Sequence, residues 1–161
     1  MTAAALEREN AVKAALEQKF PGKISDIRIA RARRMFAKVA GADAVAVLSF
    51  LKDEQGFDHL STITGLDEGE NFAAMYHLVS GSVVLSLRAV VPASAPVLST
   101  VTGLFPGGED FERELIDLLG FSIEGLKEGR RYPLPDDWPA GEYPLRKSWK
   151  GLPPAPKGEG K

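Results

Sequence analysis

Cysteine is absent from the 161 residues, and histidine occurs only twice, at His59 and His77. The first absence removes disulfides, thiolate metal sites, iron–sulfur ligation and cysteine nucleophiles. The second removes a multi-histidine metal centre. Long apolar runs are missing too: none exceeds five residues, as at Ala44–Leu48, against the roughly 18 that a spanning helix needs. The opening Met-Thr-Ala-Ala-Ala-Leu-Glu-Arg-Glu-Asn has neither the basic region nor the apolar core of a secretory signal. Any membrane contact is therefore expected to come through a partner. There is no phosphate-cradling glycine loop, dinucleotide fingerprint or nucleophile elbow. A formal net charge of −2 is too balanced for nucleic acid as a bulk partner.

What is present suits one domain with its own core: 44% of the chain is hydrophobic and 26% charged. Good helix formers predict a helix over 3–19, ended by Pro21-Gly22. Alternation around Ile24, Ile27, Ile29, Met35, Ala37 and Val39 predicts strands over 24–40. Ala44, Val47, Leu48 and Leu51 fall at helical spacing and predict a helix over 42–54, with Asp43 as its cap. Residues 57–66, 71–79 and 82–91 read as strands, joined by a turn at Asp67–Glu70 and a tight hairpin at Ser80-Gly81. Pro96 predicts a short helix to about Gly103. Glu109–Leu119 has an acidic first turn, an apolar face of Phe111, Leu115, Leu118 and Leu119, and Gly120 as its cap. Eight of the eleven prolines lie at or after Pro106, so the chain beyond Phe121 is expected to be extended. The fold class is α+β: a mixed or antiparallel sheet of four to five strands, helices mainly on one face, and an extended C-terminal arm. The expected divisions are an N-terminal helix (1–22), the core (23–120), a docking arm (121–150) and a flexible tail (151–161).

Three kinds of chemistry can be weighed. Asp58-His59 is a poor acid–base pair, because adjacent strand residues face opposite ways. His77, between Tyr76 and Leu78, reads as an ordinary strand residue. Residues 19–38 hold seven basic side chains and one acid, but residues 53–117 hold eleven acids against Arg88 and Arg113, so a duplex is repelled by much of the molecule. That polarity better suits orientation between protein partners. The remaining candidates are interface residues. Glu112, Arg113, Glu114 and Asp117 crowd one short helix, with Arg113 and Asp117 at the i, i+4 spacing of an ion pair. Trp138, Tyr143, Arg146, Lys147 and Trp149 lie on a proline-stiffened segment, and Trp and Arg dominate interface energetics.

Glu112-Arg113-Glu114-x-x-Asp117-Leu118-Leu119-Gly120, an Asp137-Trp138 turn and Tyr143-Pro144-Leu145-Arg146-Lys147 together resemble the 30-kDa subunit family of respiratory complex I, the bacterial form of which is NADH–quinone oxidoreductase. Upstream, Phe57-Asp58-His59-Leu60 and Gly65-Leu66-Asp67 fit the same order, so the resemblance spans about residues 34–150. It implies a non-catalytic subunit of the hydrophilic arm on the cytoplasmic face of the cell membrane, without a cofactor of its own. Its implied partners are the large catalytic subunit and the cluster-bearing small subunit. It also implies that Glu112, Arg113, Glu114 and Asp117 form a helix contact surface and that Arg146 and Lys147 are arm contacts. Where the family usually has Gly-His-Pro, this chain has Gly125-Leu126-Lys127. With the short chain, that departure points to the related energy-converting nickel–iron hydrogenases, with the NADH–quinone enzyme as the alternative.

Overall fold

Period-two alternation of apolar side chains sets the architecture. A computed structural model describes residues 6–152. Strands β1 (Ile24–Arg31), β2 (Arg34–Ala40), β3 (His59–Asp67), β4 (Asn71–Ser80) and β5 (Val83–Pro92) form one sheet in the order β1-β2-β5-β4-β3. β2 and β5 run parallel and the other pairs antiparallel, so the sheet is mixed. The parallel pair needs a long crossover, supplied by α2 (Ala44–Asp53), β3 and β4. On β2, β4 and β5, Met35, Ala37, Tyr76, Leu78, Leu85 and Leu87 are buried on one face. They join Val12 and Leu16 of α1 (Glu7–Lys19), Val47, Leu48 and Leu51 of α2, and Leu115 and Leu119 of α3 (Glu109–Leu119) in a single core. Each such Val, Leu or Met side chain contributes about 1.5–3 kcal/mol on burial.

The expected α+β class, the sheet and the helices over 42–54 and 109–119 are all present. Three local expectations are corrected. Asp43 precedes α2 without a side-chain cap bond; its carboxylate takes Lys23 Nζ at 2.7 Å instead. Pro96 opens no helix. Val97–Ser99 is a short strand, β6, parallel to β7 (Ser122–Glu124). The ladder is extended by Ser122 N–H donating to Pro96 O and Thr100 N–H to Glu124 O. The chain beyond residue 120, expected to be extended, also turns back onto its own domain. Phe121 is buried and meets Phe72 at 5.8 Å, and turns at Pro135–Trp138, Pro139–Glu142 and Tyr143–Trp149 fold the rest back. Residues 3–5 of the predicted first helix and 153–161 of the predicted tail lie outside the described residues.

Helix α3 lies against β3 at Gly65, where a Cβ would collide with the side chains of Leu119 and Leu115. Glycine lets the helix approach the strand closely. Gly65→Val is expected to cost about 1–3 kcal/mol by overpacking, measured by urea unfolding of the purified chain.

Candidate docking surface

The charges of α3 do not all face solvent. Glu112 stands at i, i+3 and i+7 with Leu115 and Leu119, and is 1% exposed. Its Oε1 accepts the Val101 N–H at 2.6 Å and its Oε2 the Thr100 hydroxyl at 2.6 Å. These bonds fasten the segment after β6 to the helix. Burial pushes the Glu112 carboxyl above the ordinary glutamate value, and the two hydrogen bonds only partly offset it. Burial, with a smaller contribution from Glu112, also raises the Tyr76 phenol.

Asp117 is 6% exposed. It accepts Arg131 Nε at 3.0 Å and the Leu134 N–H at 3.2 Å, while Arg131 also donates to Trp138 O at 2.6 Å. The expected Arg113–Asp117 pair does not form. Arg113 turns toward the helix start, bonding Glu109 at 2.7 Å, Lys127 O at 3.1 Å and Arg130 O at 3.3 Å. Glu112, Arg113 and Asp117 are thus engaged within the isolated chain. Glu114 is half-buried and forms no ion pair among the described residues.

The arm closes over the other end of α3. Gly120, at φ +75, ends the helix in the left-handed region. Beside it, Arg146 donates from Nε to Leu119 O at 2.7 Å and Leu145 N–H donates to Leu118 O at 3.0 Å. Two late helix carbonyls are satisfied by these bonds. A cation here, partly buried, is worth up to about 2 kcal/mol. Its guanidinium lies 4.3 Å from the Tyr143 ring centroid and 5.2 Å from that of Phe72. Lys147 acts through its backbone, donating to Asp67 Oδ2 at 2.7 Å. The Gly69 amide, then the Lys147 amide, hold the Asp67 carboxyl below its ordinary value. Trp138 and Trp149 stack at 6.3 Å, and their indole N–H groups both bond Glu142 at 2.8 Å.

Of the sequence-predicted residues, Arg113, Asp117 and Trp138 gather about Arg130 and Arg131 on one side of α3, and Tyr143, Arg146 and Lys147 gather at its C-terminal end. Facing outward beside the second group is Leu145, 55% exposed, over a groove that Glu114, Leu118 and Thr62 also line. Sequence reasoning did not single out Leu145, and missed Asp67 and Arg131 as the arm's anchors. Only Asp67 carried a local signal, the Asx turn at Asp67-Glu68-Gly69. His59 is exposed; His77 bonds Ser86 Oγ at 2.7 Å and its pKa is lowered, chiefly by burial and then by Arg34. Among the described residues, no three His, Cys, Asp or Glu side chains are grouped to hold a metal. No helix among them is long and apolar enough to cross a membrane.

The family described as "Respiratory-chain NADH dehydrogenase, 30 Kd subunit" matches residues 37–154. A subunit of the F(420)H(2) dehydrogenase of Methanosarcina mazei is 35% identical over 86% of this chain and 89% of its own. The membrane-bound hydrogenase subunit beta of Pyrococcus furiosus is 30% identical over 74% of this chain and 72% of its own. A chain of the membrane-bound sulfane sulfur reductase, an archaeal respiratory membrane complex, superposes with a TM-score of 0.76 over 91% of this chain and 88% of its own, at 24% identity, and so shares the fold.

Because the raised Glu112 carboxyl binds its proton more tightly when folded, stability should decline as pH rises above the ordinary glutamate value and level off above the folded one. Glu112→Gln should flatten that slope. Glu112→Ala, which orphans the Val101 N–H, should cost about 1–3 kcal/mol. Urea unfolding between about pH 4 and pH 8 measures both.

Proposed function

Because this chain belongs to the respiratory-chain NADH dehydrogenase 30 kDa subunit family, we propose that it is a non-catalytic subunit that docks and orients the large catalytic subunit of a complex-I-like, membrane-associated oxidoreductase. The relatives are subunits of multi-subunit complexes, which supports partners for this one. The large catalytic subunit and the cluster-bearing small subunit are the proposed pair. The chain itself carries no redox cofactor in this reading, in keeping with a sequence without cysteine. It sits peripherally on the cytoplasmic face, held to the membrane by its partners.

The observation that carries the docking reading is Leu145. A leucine 55% exposed is held by its own amide on Leu118 O and by Arg146 and Lys147 next to it. An anchor fixed in advance loses little conformational entropy on binding. Around it, Glu114 and Lys147 supply charges of both signs for a polar rim.

The hydrogenase form is the proposed branch, supported by the Pyrococcus hydrogenase relative. The short chain does not select it, since the Methanosarcina dehydrogenase relative is matched over 89% of its length. The missing Gly-His-Pro remains its sequence support. The NADH–quinone enzyme is the second reading, favoured by the family's own description. Nickel in the complex co-purified with this chain is expected; a nickel-free complex with flavin and NADH oxidation overturns the hydrogenase branch and leaves the docking reading standing.

Leu145→Asp should reduce co-purification of the large subunit at least tenfold while shifting the melting temperature of the isolated chain by no more than about 2 °C. Full assembly with Leu145→Asp contradicts the proposed surface.

A further inference from the structure

The sheet has a second face, away from the helices. Cross-strand register places Arg28, Phe36, Ser86 and His77 in one row, and Lys38, Arg88 and Met75 in the next. A depression of about 500 Å³ lies over these rows, lined by strand residues alone. We propose that this face receives an extended acidic segment of a partner polypeptide, with carboxylates over Arg34 and over Lys38 and Arg88, and an apolar side chain over Phe36. The proposal is independent of the docking role assigned to α3 and the arm.

Three observations carry it. Lys38 and Arg88 are direct neighbours across the parallel β2–β5 pair, and like charges opposite one another are unfavourable until an anion joins them. Arg88 reaches Glu68, yet its buried Nε has no acceptor. Arg28, Arg34 and Lys38 form no ion pair among the described residues. The acid that lines the depression, Asp26, is outnumbered there by Arg28, Lys38 and Arg88.

The second observation is apolar. Phe36 is flanked by guanidiniums at 4.6 Å (Arg28) and 4.8 Å (Arg34), and Met75 lies against the same depression. An aromatic surface rimmed by cations favours a ligand that is both apolar and anionic. The third is spacing. Alternate residues of β2 stand about 6.6–6.8 Å apart, so Arg34, Phe36 and Lys38 repeat with the period of one side of an extended peptide. Acid, apolar, acid at every second residue is the matching pattern. Nucleic acid fits less well: Phe36 is the one aromatic ring lining the depression, too few for successive bases to stack on.

The test uses the purified full chain and a synthetic peptide in which two glutamates flank a central leucine, separated by serines. Amide chemical shifts should move at Arg34, Phe36, Lys38, Ser86 and Arg88. Affinity should fall at least fivefold between about 50 and about 300 mM salt, and at least tenfold in the Arg34→Glu, Lys38→Glu double variant. Retained amide shifts elsewhere establish that the variant folds; should it misfold, Lys38→Gln is expected to weaken binding at least threefold. Absence of shifts, shifts confined to α3 and the arm, equal binding of the lysine-for-glutamate peptide, or tighter binding of a single-stranded oligonucleotide of equal charge would each overturn the proposal. Because no partner subunit enters this measurement, its failure leaves the docking role untouched, and loss of co-purification leaves this proposal untouched.

Discussion

A carboxylate taken out of water must be given fixed donors, and α3 carries two that are. Glu112 and Asp117 are nearly inaccessible, and each has two hydrogen bonds to segments distant in sequence or beyond the helix. Removing either carboxylate leaves buried donors unpaired, which costs more than a typical surface ion pair contributes. Through Glu112 the helix holds the segment after β6; through Asp117 it holds Arg131, and through Arg131 the turn at Trp138. Arg146 finishes the same job at the helix end. The proline-rich segment is therefore folded onto the core by polar bonds radiating from one helix, and that order is what the docking reading needs.

The larger elements were legible because their periods are long. β4 and β5 run ten residues each, and α3 has an apolar stripe with a glycine cap. β6 and β7 were not legible: three residues carry too little alternation, and their pairing is a long-range event. The burial of Glu112 left one sign, its place at i, i+3 and i+7 with Leu115 and Leu119. Its charge hid it, because an acidic first turn is expected at any helix start. Asp117 and Arg131 could not be paired from sequence, since β7 and the loop that follows it, which bring Arg131 back to the helix, were not foreseen. The arm's composition was informative about its contact chemistry but not about what it packs on, which is its own domain.

That self-docking refines the functional account. A loose arm would lose its freedom at the moment of assembly; one already folded presents Leu145 and Lys147 in place. The family membership says that such a chain works among other subunits, and the two faces of the molecule divide the labour proposed for it. The α3 side is polar and locked, with Leu145 exposed beside it. The strand side is cationic, with an aromatic centre.

The most direct test is hydrogen–deuterium exchange of the chain alone and in its co-purified complex. The account predicts that the Leu145 and Lys147 amides, bonded to Leu118 O and Asp67, are already protected in the isolated chain, and that the α3 and arm segments gain further protection on assembly. Free exchange at those two amides in the isolated chain, or no gain on assembly, would contradict it.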